Sequence, residues 1–106
     1  MNISWEMIAD SLRQELADYG GLLHLFEQQQ RSLFDRDPAA VMGLGAAIEV
    51  QARSIAVCRT RREQVVADFA AEHGLSRQST LRSLLPLIEP NARPLLEALI
   101  DEVNAL

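Results

Sequence analysis

The sequence predicts an all-α fold: one long antiparallel, coiled-coil-like helical hairpin, with a short third helix and a C-terminal amphipathic helix packing at its open end. Three observations carry this. Mostly apolar residues recur at alternating spacings of four and three from Trp5 to Leu33, the signature of a helix with a heptad stripe. A second stripe at helical spacing runs from Val41 to Phe69. Between them, Asp35-Arg36-Asp37-Pro38 joins a stop signal to a start signal.

The first helix is expected over about 3–34, with Ser4 as N-cap. Its stripe reads Trp5, Ala9, Leu12, Leu16, Tyr19, Leu23, Phe26, Gln30, Leu33, with Gln30 its polar member. Glu27 and Arg31 lie four apart in the favourable order on the exposed side. Gly20-Gly21 costs about 1 kcal/mol per glycine relative to alanine. The pair implies either a local bend or the close approach of a neighbouring backbone.

The turn takes 35–37. Asp37 is the expected N-cap of the second helix, and Pro38 sits at its first position, where a missing N–H costs nothing. The second helix is expected over about 38–73, with Gly74 just past its end. Its stripe is Val41, Leu44, Ile48, Ala52, Ile55, Cys58, Arg62, Val65, Val66, Phe69. Folding the two stripes together pairs residues whose numbers sum to about 74. The expected seam therefore holds Trp5, Leu12, Leu16, Tyr19, Leu23, Phe26 and Leu33 against Val41, Ile48, Ile55 and Phe69. Gly20 and Gly21 then face the neighbourhood of Ala52. Arg62, opposite Leu12, is expected to bury its stem and reach Glu6, Asp10 or Glu15.

The remainder is shorter. A loop and short helix are expected over 74–89, capped by Ser79 or Thr80 and interrupted by Pro86 and Pro90. A last helix is expected over about 91–106, with Pro94 tolerated in its first turn. Its stripe is Leu95, Leu96, Leu99, Ile100, Val103, Leu106. At 1.5 Å per residue this helix spans only about 22 Å, against about 50 Å for each arm of the hairpin. It can cover the end carrying Trp5 and Phe69. The turn end, with Leu22, Leu25 and Phe34, stays poorly covered, so a partner or a dimer is expected there.

Composition bounds the function. The chain has 106 residues, 48% of them hydrophobic, and a net charge of −5. All of its basic residues are arginines. No basic footprint for nucleic acid is present. The single cysteine, Cys58, cannot form an internal disulfide and fits a reducing compartment. The first residues lack the basic start and apolar core of a signal peptide, and no apolar run approaches the roughly 18 residues of a membrane span. A cytoplasmic location with no membrane insertion is expected.

No catalytic constellation, metal site or cofactor site stands out. Inward Glu-x-x-His pairs, which helical di-iron sites need, do not occur. His24 and Glu27 give only the reverse order. His73 reads as a helix-end residue favoured by the dipole, and Cys58 as a buried small hydrophobe. Phe69 to Ser76 imitates the turn of a helix-turn-helix, but the later core positions fall on Thr80 and Ser83, so DNA binding is not expected. Arg59-Thr60-Arg61-Arg62 reads as a solvated face with Arg59 and Glu63 paired four apart.

The order of parts is more telling than any single motif. A leucine-rich helix runs into Leu25-Phe26-Glu27-Gln28-Gln29-Gln30-Arg31-Ser32-Leu33 and the acidic turn Asp35-Arg36-Asp37. Ile48-Glu49-Val50-Gln51-Ala52-Arg53 and Arg59-Thr60-Arg61-Arg62 follow in the second helix. Gly74-Leu75, Thr80-Leu81-Arg82-Ser83-Leu84-Leu85 and a proline-flanked amphipathic helix close the chain. In this pattern the chain resembles the FlgN family of flagellar export chaperones. The resemblance implies a non-enzymatic cytoplasmic chaperone for flagellar type III secretion. It would hold hook-filament junction (hook-associated) proteins before export and meet a component of the export gate. It also implies client binding on the last helix, here Leu95, Leu96, Leu99, Ile100, Val103 and Leu106. Family members usually continue that helix for several more turns, which implies a clipped client-binding segment or a shortened variant. The glycine pair is a further departure from the pattern. The rival expectation is a structural coiled-coil adaptor that forms a homodimer through the hairpin.

Overall fold

A computed structural model describes residues 3–105. Helix α1 (Trp5–Phe34) and helix α2 (Pro38–Glu72) pack along each other as an antiparallel hairpin. A short helix α3 (Leu81–Leu84) leads into a single 3-10 turn (Leu85–Leu87) and then into helix α4 (Arg93–Asn104), which packs on α1. No strand occurs among the described residues. The molecule measures 56 × 23 × 18 Å.

The helix ends follow from local chemistry. Asp37 caps α2 by accepting from the Ala40 N–H at 3.1 Å, with Pro38 in the first turn. Thr80 caps α3 through Ser83 N–H. Ser4 stands at the N-cap of α1 with extended backbone, but its side chain makes no capping bond. Both long helices end in the same double hydrogen bond. In α2, Gly74 N–H bonds to Ala71 O and Leu75 N–H to Ala70 O. In α1, Arg36 N–H bonds to Leu33 O and Asp37 N–H to Ser32 O. This closure requires a left-handed residue just past the helix. Gly74 supplies it at φ +74°, whereas α1 uses Arg36 at φ 54°. A side chain there costs roughly 1–2 kcal/mol, which a glycine avoids at some cost in unfolded-chain entropy. Arg36→Gly is therefore expected to stabilise the protein by about 0.5–1 kcal/mol. The check is a higher urea midpoint with an unchanged slope.

The core sits at the open end. Ile8, Ala9 and Leu12 of α1 meet Val66, Phe69 and Ala70 of α2 there. Leu84, Leu85 and Ile88 of the connection and Ala92, Leu96, Leu99 and Ile100 of α4 close over them. Arg93 fastens this cover. Its guanidinium donates to the carbonyls of Leu85, Pro86 and Ile88, satisfying orphaned acceptors around the 3-10 turn. The buried side chains of α1 stop at Glu15 and those of α2 begin at Ile55. The turn half of the hairpin buries no residue fully.

The register matches the expected pairing. Glu15 meets Arg59 and Arg62, Asp18 meets Ser54 and Cys58, and Gln29 reaches Val41. The identity of the seam residues needs correction. Leu23, Phe26 and Leu33 are not inside the hairpin; they are 61%, 45% and 59% exposed. The positions turned toward α2 are Glu15, Asp18, Gly21, Gln29 and their heptad companions, one residue earlier at most steps. The reason is that α1 has two contact stripes. The apolar one, from Trp5 through Ala9, Leu12 and Leu16, belongs to the cluster that α4 closes. The stripe against α2 carries charged and polar residues, so apolar spacing alone selects its neighbour.

Helix α1 runs unbroken through Gly20 and Gly21. A Cβ on Gly21 would lie 2.8 Å from Gln51 Nε2, while Gly20 faces open space. The close approach at Gly21 is thus to a side chain, and that amide donates to the Asp18 carbonyl at 2.9 Å.

Candidate functional site

Three features are candidates: the apolar face of α4, a polar collar across the hairpin, and the uncovered stripe of the turn half.

The face of α4 is turned inward. Leu96 is fully buried, and Leu99 and Ile100 are only 8% and 6% exposed. Val103 is half-buried, Leu95 is exposed, and Leu106 lies outside the described residues. The six residues taken from the sequence as a binding surface therefore divide. Three seal the hairpin's open end, and Leu95 with part of Val103 faces outward. Beside the end of α4, an open groove of about 550 Å³ is lined by Leu12, Arg62, Val66, Leu81, Ile100 and Val103, among others. Arg82 pairs with Asp101 at its edge.

The collar lies where the core stops. Glu15 is fully buried and takes two bonds from Arg62, at 2.6 and 3.3 Å, with Arg59 3.6 Å away. Of the three partners expected for Arg62, Glu15 is the one engaged. Arg59 also bonds the Tyr19 hydroxyl, and the expected pair with Glu63 does not form. One turn further along α1, Asp18 accepts from Ser54 Oγ and Cys58 Sγ, each at 3.0 Å. The bond to Asp18, then burial, raises the Cys58 thiol above its usual pKa. Cys58 is therefore held as the protonated thiol, a donor within the collar. Sequence spacing places Cys58 correctly inside but gives no hint of its carboxylate partner.

His24 is exposed, and His73 closes α2 with Nδ1 2.9 Å from Phe69 O. No group of three or more His, Cys, Asp or Glu suited to a metal occurs among the described residues. The first residues past α2 form a loop, and only four residues of α3 follow, so the imitation of a helix-turn-helix lacks a recognition helix.

The turn half exposes several large apolar side chains. Leu23, Phe26, Leu33 and Phe34 of α1 are exposed, as are Met42 and Val50 of α2. Leu22 and Leu25, expected to be bare, are instead half-buried. The expectation that no segment approaches a membrane span also needs correction. Helix α2 is long and apolar enough to cross a membrane by length and composition, with a window of mean hydropathy 1.3 of which 11% is buried. Valine, isoleucine, leucine and alanine raise the mean there, although Glu49 and Arg53 interrupt the apolar run.

The fold is a long all-α hairpin whose open end is closed by α4 and whose turn half buries no residue fully. The model of the FlgN protein family matches residues 1–106, the whole chain, and the protein belongs to that family of flagellar export chaperones. Comparison with curated proteins and with solved structures gave no match.

Proposed function

We propose that this protein is a non-enzymatic cytoplasmic chaperone that holds hook-associated proteins and delivers them to the flagellar type III export gate. The family match over the whole chain carries this reading. The apolar surface of the hairpin supports it, because large exposed apolar patches mark protein-interaction sites. In this reading Leu95, Leu96, Leu99, Ile100 and Val103 contact the client once α4 leaves the hairpin, since most of that face is buried while α4 is closed.

The test is co-purification with C-terminal segments of hook-filament junction proteins. Capture of at least one segment by the folded protein is the expected result. Failure of every segment, with circular dichroism reporting a folded helical protein, overturns the proposal.

A further inference from the structure

We propose that the exposed stripe Leu23–Phe26–Leu33 of α1, with Met42 beside it on α2, is a docking groove for one amphipathic helix of the client. This deepens the export-chaperone reading and rests on it.

The stripe is continuous with an existing helix interface. Trp5, Ala9, Leu12, Leu16, Tyr19, Leu23, Phe26, Gln30 and Leu33 form one heptad series along α1. Its first four members belong to, or pack against, the cluster that α4 closes. The cover by α4 ends beside Leu12 and Arg62. Beyond that point the same stripe continues into solvent. Its near end already shows what it accepts: a helix presenting Leu, Ile and Val at spacings of three and four. From Leu23 to Leu33 the free stripe runs about 15 Å, close to three helical turns. It carries no charge.

A compact chain of this mass exposes about 5,900 Å² by the usual scaling. This one exposes 6966 Å², an excess of roughly 1,000 Å². A standard protein interface takes about 800 Å² from each side. The elongated 56 × 23 × 18 Å shape leaves that much surface uncovered, about what a ligand of ordinary interface size would take.

Leu33, Pro38, Val41 and Met42 line an apolar dish at the turn. Such a dish fits a large apolar side chain from the last turn of a docked helix, the anchor typical of helix-in-groove recognition.

The experiment uses the full chain and titrates C-terminal segments of hook-filament junction proteins against wild type, Leu23→Asp, Phe26→Asp and Val57→Asp. Leu23 and Phe26 are 61% and 45% exposed, so both variants should stay folded and helical by circular dichroism, with at most a small drop in melting for Phe26→Asp. Binding is expected to weaken at least tenfold in Leu23→Asp and Phe26→Asp. It should persist in Val57→Asp, on the outer surface of α2. A photo-crosslinking residue at position 33 should capture the client segment. Equal affinity of all four proteins overturns the groove and leaves the chaperone reading standing. Binding to none overturns both. Crosslinking only to a second copy of the chain, with a concentration-dependent dimer lost in Phe26→Asp, assigns the stripe to self-association and overturns the proposal.

Discussion

Arg62→Ala is expected to destabilise the protein by about 3 kcal/mol, because it leaves a buried carboxylate without its main partner. Glu15 has no exposure to water, and Arg62 supplies a bidentate contact to it. Arg59 remains 3.6 Å away, but its side chain is 52% exposed and shared with Tyr19. That softens the loss without cancelling it. Two further variants separate charge from shape. Glu15→Gln with Arg62 intact removes the carboxylate, so it should cost less than Arg62→Ala. The double change Glu15→Leu with Arg62→Met should fall near wild type, since an apolar pair of similar volume often matches a buried ion pair. Urea unfolding of the four proteins checks the cycle. If Arg62→Ala proves neutral, Glu15 is reached by water and the collar is a surface feature.

The collar also explains what could and could not be read from the sequence. The helices, their caps and the turn were legible because each depends on near neighbours: Asp37 with Ala40, Gly74 with Ala70 and Ala71, Thr80 with Ser83. The register was legible because a tight turn ties the two arms together. The inner face of α1 was not. Glu15 and Asp18 occupy it, and apolar periodicity passes over them to the adjacent stripe. Only the position of α4, a contact distant in sequence, tells that Leu12 lies under a third helix while Phe26 does not. The inward turn of Leu96, Leu99 and Ile100 was hidden for a related reason. An amphipathic helix has the same pattern whether it covers its own core or a client's. Arg93 was hidden too, because its three acceptors become orphaned only once Pro86 has shaped the 3-10 turn.

Leu96→Ala is expected to destabilise by about 3 kcal/mol, within the range for large-to-small changes at fully buried sites. The effect should concentrate in α4. At 12 residues that helix is too short to persist alone, so its order comes from packing against the hairpin. Amide protection should fall in α4 and hold better in α1 and α2, which hydrogen exchange resolves residue by residue. Leu12→Ala, on the hairpin side of the same contact, should loosen α4 by a similar amount while leaving its apolar face intact. The two variants then separate the possible roles of that face. A client that needs α4 released binds more weakly by the fraction of chains in which α4 is open. Loosening by about 3 kcal/mol raises that fraction up to about a hundredfold, at 1.4 kcal/mol per tenfold. If the face of α4 itself touches the client, Leu12→Ala should raise affinity, while Leu96→Ala should raise it far less or lower it. If α4 only covers the hairpin and the client takes the uncovered face beneath, Leu96→Ala should raise affinity and Leu12→Ala should lose part of the gain. If neither variant changes affinity, the client never enters beneath α4, and binding is confined to surface already open in the closed form.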